Sequence, residues 1–312
     1  MKITVLDSAT LGEDLDLSPL SEVGEVEVYK NTAPHEVADR IKDSEVVVIN
    51  KIRLNESNLP SAKNLKVICI AATGFDNIDV AYCKKAGIAV CNVVGYSTHS
   101  VAQITVATVL SLACHIPEHS ETVKSGRYTA SGVANSLVPV YHELAGKTWG
   151  IVGYGNIGKQ VGKVAEAFGC KVIYSRRSGG KSVEDVCRES DIITIHTPLN
   201  DSTRGLISKD MIALMKKDVI VVNEARGLVT DEKAIADAVK EGRIGAFGSD
   251  VFSVEPFGKD HPFYEIKDLP NVCLTPHMAW GAYEARVRCL SEIVENIKAF
   301  KNGEKRSRVD LI

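Results

Sequence analysis

Three features are missing from this sequence, and each absence narrows what the chain does. No two of its eight cysteines form a C-x-x-C pair. Cys69, Cys83, Cys91, Cys114, Cys170, Cys187, Cys273 and Cys289 are scattered, several within apolar strands, which argues against a zinc or disulfide framework and predicts reduced, buried thiols in a cytoplasmic protein. No basic block or arginine-rich tail interrupts a chain of net charge −3, so a nucleic-acid or membrane-surface role has no support. No apolar run is long enough to span a bilayer, and the chain enters a strand at Lys2 to Leu6 without a signal-peptide pattern. What remains is 312 residues, 45% hydrophobic and 25% charged, enough for two domains with a core each.

The most informative stretch runs from Lys147 to Gly158. It reads as a short apolar strand, a turn carrying Gly153, Gly155 and Gly158, and a helix from about Asn156 to Phe168. Gly153 allows a tight turn, Gly155 allows main chain to approach a pyrophosphate, and Gly158 lets the helix pack close to the strand. Tyr154, Asn156 and Ile157 complete the turn, and a diphosphate would rest on the amides of the helix N-terminus. A second apolar strand, Lys171 to Tyr174, follows at the distance a βαβ unit requires, which turns a weak motif into a dinucleotide site.

A further absence lies at the end of that second strand. An acidic residue there normally binds the adenosine ribose hydroxyls of NAD and repels a 2′-phosphate. Here the positions read Ser175-Arg176-Arg177-Ser178. Hydroxyls and guanidinium groups suit the 2′-phosphate of NADP, so NADP is the preferred cofactor with NAD as the alternative. The plainer reading leaves Arg176 and Arg177 as solvated residues at a strand end.

Strands alternate with helices on both sides of this unit, which predicts an α/β chain with parallel sheets covered on both faces. Before residue 98 the strands are Ile3 to Leu6, Val26 to Tyr29, Val46 to Asn50, Val67 to Ala71 and Ile88 to Cys91, with helices at Pro34 to Lys42 and Ile78 to Lys85. The turn Ala72 to Asp79 follows a strand end, with Asp76 or Asn77 as a helix N-cap. An apolar helix is expected from Ser100 to about His115, and 117–143 looks like an irregular excursion, read as a dimer arm. After the glycine-rich unit, strands end in His196-Thr197-Pro198, in Asn223-Glu224-Ala225-Arg226, in Asp250 and in Thr275-Pro276-His277-Met278-Ala279. Parallel strands put their carboxyl ends side by side, so these groups converge across the cofactor. His196, Thr197, Pro198, Thr203, Glu224, Ala225, Asp250 and Ala279 are accordingly assigned to it.

Reduction of a carbonyl by a nicotinamide needs a proton donor and a group that fixes the substrate. His277 is a suitable acid because imidazole titrates near neutrality, and Glu255 is its candidate partner. Arg226 is suited to grip a carboxylate or a carbonyl oxygen. Taken singly, each also fits a structural role, and their shared placement at strand ends favours catalysis. No second histidine lies at ligand spacing around His277, so no metal site is expected.

Together, Gly-Tyr-Gly-Asn-Ile-Gly at 153–158, Asn-Glu-Ala-Arg-Gly at 223–227, Asp-Val-Phe and Glu-Pro within 250–256, and Thr-Pro-His at 275–277 resemble the D-isomer-specific 2-hydroxyacid dehydrogenases. The resemblance covers nearly the whole chain. It implies two Rossmann-like domains, with a substrate domain of 1–98 plus 288–312 and a cofactor domain of 99–287. A homodimer and an interdomain active site are also implied. Carried over by position, Arg226 would bind the substrate, His277 would be the acid in reduction, Glu255 would pair with it, and Asp250 would meet the nicotinamide carboxamide. Thr73 and Gly74 would hold the substrate carboxylate through main-chain N–H groups, with Lys51, Tyr96 and Trp280 as pocket candidates. Gly-Tyr-Ser-Thr at 95–98 and Ala279-Trp280 are similar to the glycerate dehydrogenase and hydroxypyruvate reductase branch. The expected reaction is reduction of a small 2-keto acid, hydroxypyruvate or glyoxylate first, pyruvate or phenylpyruvate otherwise. From another class, a non-catalytic dinucleotide-sensing protein uses the same fold, but the intact Arg226, Glu255 and His277 favour an enzyme.

Overall fold

The computed structural model describes residues 1–312, which divide into two compact units, Met1–Ser97 with Gly281–Ile312, and Thr98–Trp280. The first unit opens with β1 (Lys2–Val5), β2 (Glu25–Val28), α1 (Val37–Ile41), β3 (Val46–Ile49), β4 (Val67–Ile70), α2 (Val80–Ala86) and β5 (Ala89–Cys91). These strands form a five-stranded parallel sheet in the order β2-β1-β3-β4-β5. β3 and β4 are buried along their whole length, as continuous Val/Ile runs in a doubly covered sheet require. The cap of α2 is Asp79, whose carboxylate accepts from the Tyr82 amide at 2.9 Å. It replaces the expected Asp76 or Asn77, because the chain makes a further turn before entering the helix.

The second unit begins with α3 (Thr98–Ala113), α4 (Ile116–Lys124) and α5 (Arg127–Ser131). The 117–143 excursion therefore contains two short helices, contrary to the irregular reading. Proline, glycine and serine break the apolar spacing too often for it to be visible, and no residue of α4 or α5 is fully buried. Then follow β6 (Thr148–Val152), α6 (Asn156–Ala167), β7 (Lys171–Ser175), α7 (Val183–Glu189), β8 (Ile192–Ile195), α8 (Lys209–Leu214), β9 (Ile220–Asn223), α9 (Glu232–Lys240), β10 (Ala246–Ser249) and β11 (Val272–Leu274). The sheet is parallel throughout, in the order β11-β10-β9-β8-β6-β7. The strand order reverses at β6, where open α/β sheets place their ligands. One core, around Trp149, Ile151 and Val109, lies under α3 and α6, and another, around Ile193, Val221 and Phe247, lies on the opposite face.

The chain returns to the first unit through α10 (Tyr283–Lys301), which packs on β4. Because α10 is one uninterrupted helix, the second boundary falls at 280/281, where the sequence reading had placed it at 287/288. The last residues rejoin the sheet edge, where the Asn92 amide donates to the Ser307 carbonyl at 3.2 Å and the Val90 amide to Asp310 at 2.9 Å. No single helix is long and apolar enough to cross a membrane. All eight cysteines are free, and burial pushes the Cys83 and Cys187 thiols up to about 11 and Cys289 to about 12.

Candidate active site

The glycine-rich turn has the mechanics its sequence implies. Gly153 has φ +97°, and a Cβ there would lie 2.6 Å from the Thr197 nitrogen and 2.7 Å from the His196 carbonyl carbon. At Gly158 a Cβ would come within 2.4 Å of the Gly153 oxygen, so only glycine lets α6 start this close to the turn. Gly155 differs, because a Cβ would meet nothing within 4 Å. The open space lies at the N-terminus of α6, where Gly155 is the N-cap and offers no side-chain acceptor. Uncapped amides facing open space fit a diphosphate. The Tyr154 side chain turns into the protein, its ring stacked on Tyr174 with centroids 3.9 Å apart, so its part in the site is main-chain.

Beyond β7, Arg176 and Arg177 are exposed, and Arg176 donates its Nε to the Ser178 carbonyl at 2.7 Å. Gly179 and Gly180, both with positive φ, curl this turn back so that the Lys181 amide reaches the Tyr174 carbonyl at 2.8 Å. On the other side of β6, Thr203 is engaged in its own turn, donating to the Pro198 carbonyl at 2.6 Å and accepting from the Asn200 amide at 2.8 Å. Its hydroxyl therefore braces the loop after Pro198.

The three residues expected to carry the chemistry, Arg226, Glu255 and His277, follow three successive strands. After β9, the Asn223 side chain brackets the exit, accepting from the Ala225 amide and donating to the Arg226 carbonyl, each at 3.0 Å. Arg226 directs Nη1 to the Ala225 carbonyl at 2.8 Å. After β10, Glu255 accepts from the Phe252 amide through Oε1 at 3.0 Å and meets His277 Nδ1 through Oε2 at 2.6 Å. After β11, His277 adopts φ +53°, and its carbonyl accepts from the Trp280 indole at 3.0 Å. Asp250 is buried and holds this segment, accepting from the Thr275 hydroxyl at 2.6 Å and from the Met278 and Ala279 amides at 2.8 Å each. Ala279 is also buried, and its carbonyl accepts from Ser100 at 2.5 Å.

Two supports of this site were not visible in the sequence. The first is a buried cluster in which Glu232, at the start of α9, meets His261 Nε2 at 2.9 Å and accepts from the Ser253 amide at 2.7 Å. The Phe263 amide donates to His261 Nδ1 at 3.2 Å, which leaves Nε2 as the protonated nitrogen facing the carboxylate. This cluster anchors both ends of the loop that carries Glu255. No spacing rule links residues 21 to 29 positions apart. The second is Gly227, where a Cβ would lie 2.1 Å from the Phe252 carbonyl carbon and 2.2 Å from the Ser253 nitrogen. Main chain cannot yield as a side chain does. Gly227→Ala is expected to destabilise the protein by about 1–3 kcal/mol and to lower kcat by displacing Glu255, with dinucleotide affinity unchanged. Denaturant titration and steady-state kinetics check this, and an unaltered kcat would separate the loop from catalysis.

His196 and Glu224 also belong to this edge. Burial holds the His196 imidazole down at about 3, and burial, followed by the nearby Asp250 charge, pushes the Glu224 carboxyl well above the usual carboxylate range. All four of their side-chain polar atoms are buried without a hydrogen-bond partner. Orphaned polar groups at the edge facing a glycine cradle fit a polar ligand such as a dinucleotide.

The first unit has its own polar edge. Buried Asp7 accepts from the Asn50 and Lys51 amides at 2.9 and 2.6 Å, and Asn77 donates to the Asn50 and Ile52 carbonyls at 3.2 and 2.8 Å. Thr73 is tied to the exit of β5, its hydroxyl donating to Val93 at 2.8 Å and its carbonyl accepting from Asn92 at 2.7 Å, which fixes the turn into Gly74. Tyr96, expected to line a pocket, is buried at 7% exposure, and its carbonyl accepts from Arg288. No group of three or more potential metal ligands occurs in the chain.

Comparison with known proteins shows the family. Residues 106–279 match the sequence model of the D-isomer specific 2-hydroxyacid dehydrogenase, NAD binding domain. The chain belongs to the D-isomer-specific 2-hydroxyacid dehydrogenases. Among similar members of the family, the hydroxypyruvate reductase of Blautia hydrogenotrophica is 35% identical over 97% of this chain and 98% of that protein. The glycerate dehydrogenase of Methylorubrum extorquens is 34% identical over 99% of each. The D-lactate dehydrogenase of Aquifex aeolicus, solved with NAD and lactic acid, superposes with a TM-score of 0.84 at 28% identity, covering 97% of this chain and 96% of that one. An acyclic imino acid reductase solved with NADPH and D-Arg superposes at 0.88 and 28% identity, covering 99% and 100%. As a 2-hydroxyacid dehydrogenase, this chain is an oxidoreductase that binds a nicotinamide dinucleotide.

Proposed function

We propose that this dehydrogenase is an NADP-preferring reductase of small 2-keto acids, hydroxypyruvate or glyoxylate, forming the D-2-hydroxy acid. The observation that carries the catalytic reading is the 2.6 Å contact between His277 Nδ1 and Glu255 Oε2. It fixes the ring and its tautomer and leaves Nε2 as the position that gives a proton to the developing alkoxide. Arg226 grips the substrate carboxylate and polarises its carbonyl, and the Thr73 and Gly74 amides, Lys51 and Trp280 are the further substrate-binding candidates that the family resemblance implies. When bound, the reduced nicotinamide supplies hydride. Gly153 to Gly158 hold the diphosphate, Arg176, Arg177 and Ser175 the 2′-phosphate, and Asp250 and the 196–198 turn the nicotinamide half. The choice of acid rests on the names of the two relatives above and on the Gly-Tyr-Ser-Thr segment at 95–98.

Two further readings accompany it. The exposed apolar residues between Ile116 and Tyr141, with Leu137 at 75% exposure, support a homodimer formed through this arm. The high-lying buried thiols suit a reducing, cytoplasmic compartment.

Oxidation of NADPH and NADH against hydroxypyruvate, glyoxylate, pyruvate and phenylpyruvate tests the proposal. A preference for NADPH with one of the small acids supports it, and activity with NADH alone overturns the NADP reading. Arg176→Asp is expected to shift the NADPH-to-NADH ratio of kcat/KM toward NADH by about 10- to 100-fold, the worth of one or two charge-assisted hydrogen bonds.

A further inference from the structure

Glu224 is a buried acid that the chemistry above does not use. Strand register fixes its neighbourhood: Asn223 pairs with Ile195 on β8 and with Ser249 on β10, so Glu224, one residue on, lies in line with His196 and Asp250. Its residue is 8% exposed, and neither carboxyl oxygen has a partner. The groups around it offer no strong compensating cation. His196 just after β8 is held neutral by burial, Asp250 just after β10 is an acid raised by its own burial, and Cys273 on β11 is a thiol raised by burial and then by Glu224. α3, packed on β9, β10 and β11, carries His99 as its single titratable residue. Arg226, two residues on, donates Nη1 to the Ala225 carbonyl at 2.8 Å. Burial with neither carboxyl oxygen partnered, and then the nearby Asp250, therefore favour the protonated form of Glu224 and push its carboxyl well above the usual carboxylate range.

The sheet order indicates what part of the cofactor lies above it. The diphosphate cradle follows β6 and the adenosine-side residues follow β7, the edge strand. The other half of a dinucleotide then extends across the ends of β8, β9 and β10, and Glu224 occupies the middle of that run. A nicotinamide ring is uncharged when reduced and cationic when oxidised. We propose that Glu224 reads this charge: it keeps its proton while the reduced ring is bound and releases it to solvent when the oxidised ring takes that place. The carboxylate so formed compensates the ring's positive charge, and the proton returns when the oxidised cofactor leaves. Glu224 thus sets the ratio of affinities for the two redox forms, independently of His277, which serves the substrate oxygen. This inference rests on the nicotinamide reading above.

Calorimetric binding of NADP+, NADPH, NAD+ and NADH to the apoprotein, in buffers of differing ionisation enthalpy, tests it without turnover. The wild type is expected to release a fraction of a proton with each oxidised form and none with the reduced forms. Affinity for the oxidised form should rise with pH until the ligand-free Glu224 itself ionises, then level. Glu224→Gln mimics the protonated state, so it should fold and bind the reduced form as before. It should abolish the proton release and weaken the oxidised form by about ten-fold, the effect of one pKa unit of coupling. Proton release that persists in Glu224→Gln, or none in the wild type, overturns the assignment to Glu224. Failure of every dinucleotide to bind would instead overturn the cofactor reading, and this inference with it. The wild-type measurement decides the case even if the variant proves unstable.

Discussion

Replacing His277 by asparagine is expected to lower kcat for keto-acid reduction by about 10²- to 10⁴-fold, the contribution of a well-placed acid. Dinucleotide affinity should stay close to that of the wild type. Asparagine is the better test because His277 sits at φ +53°, where asparagine is tolerated and alanine adds strain. The surrounding segment does not rely on the imidazole for its position: Asp250 holds the Met278 and Ala279 amides, and Trp280 caps the His277 carbonyl. Loss of turnover with binding intact would therefore report the proton and not the fold. Turnover near the wild-type level would place the acid elsewhere.

The second large effect lies at the other end of the cofactor. Gly153→Ala is expected to weaken dinucleotide binding by at least about 100-fold, equivalent to roughly 3 kcal/mol. Two costs add there, a left-handed main-chain conformation and a Cβ within 2.6 Å of the Thr197 nitrogen. The strain has no flexible neighbour to absorb it, because the nearest atoms are main chain of the 196–197 turn. Titration of protein fluorescence with NADPH would measure the loss. Gly155→Ala is the instructive comparison, since a Cβ there meets open space. It should leave stability nearly unchanged and affect only ligand approach.

These two residues mark what local sequence makes legible. The glycine turn could be read because its three glycines recur at a fixed short spacing between an apolar strand and a helix. The strands could be read because doubly covered parallel sheets need uninterrupted runs such as Val46–Ile49. The acid pair was suggested by strand-end placement, and its geometry follows from parallel pairing. Less legible was whatever depends on distant partners. The Glu232–His261 cluster joins positions 29 apart, and the close approach of Gly227 to Phe252 joins positions 25 apart, with no periodicity to announce either. The cap of α2 was misplaced because three acidic or amide residues lie within four positions, and only the path of the turn selects Asp79. α4 and α5 escaped notice because their apolar residues are exposed, and amphipathic spacing reports burial on the same unit.

The split composition of the first unit has a consequence for synthesis. During translation, residues 98–280 emerge as a continuous segment that already contains its entire six-stranded sheet. The earlier segment must wait, because Leu290, Ile293 and Ile297 of α10, and Asp310 against the β5 edge, are supplied by the last 32 residues of the sequence. The portion made first is therefore completed last. Until then the ribosome carries a half-covered Val/Ile sheet, the kind of surface that chaperones recognise. A nascent chain arrested just after residue 280 should show a protease-resistant second unit joined to a cleavable first one.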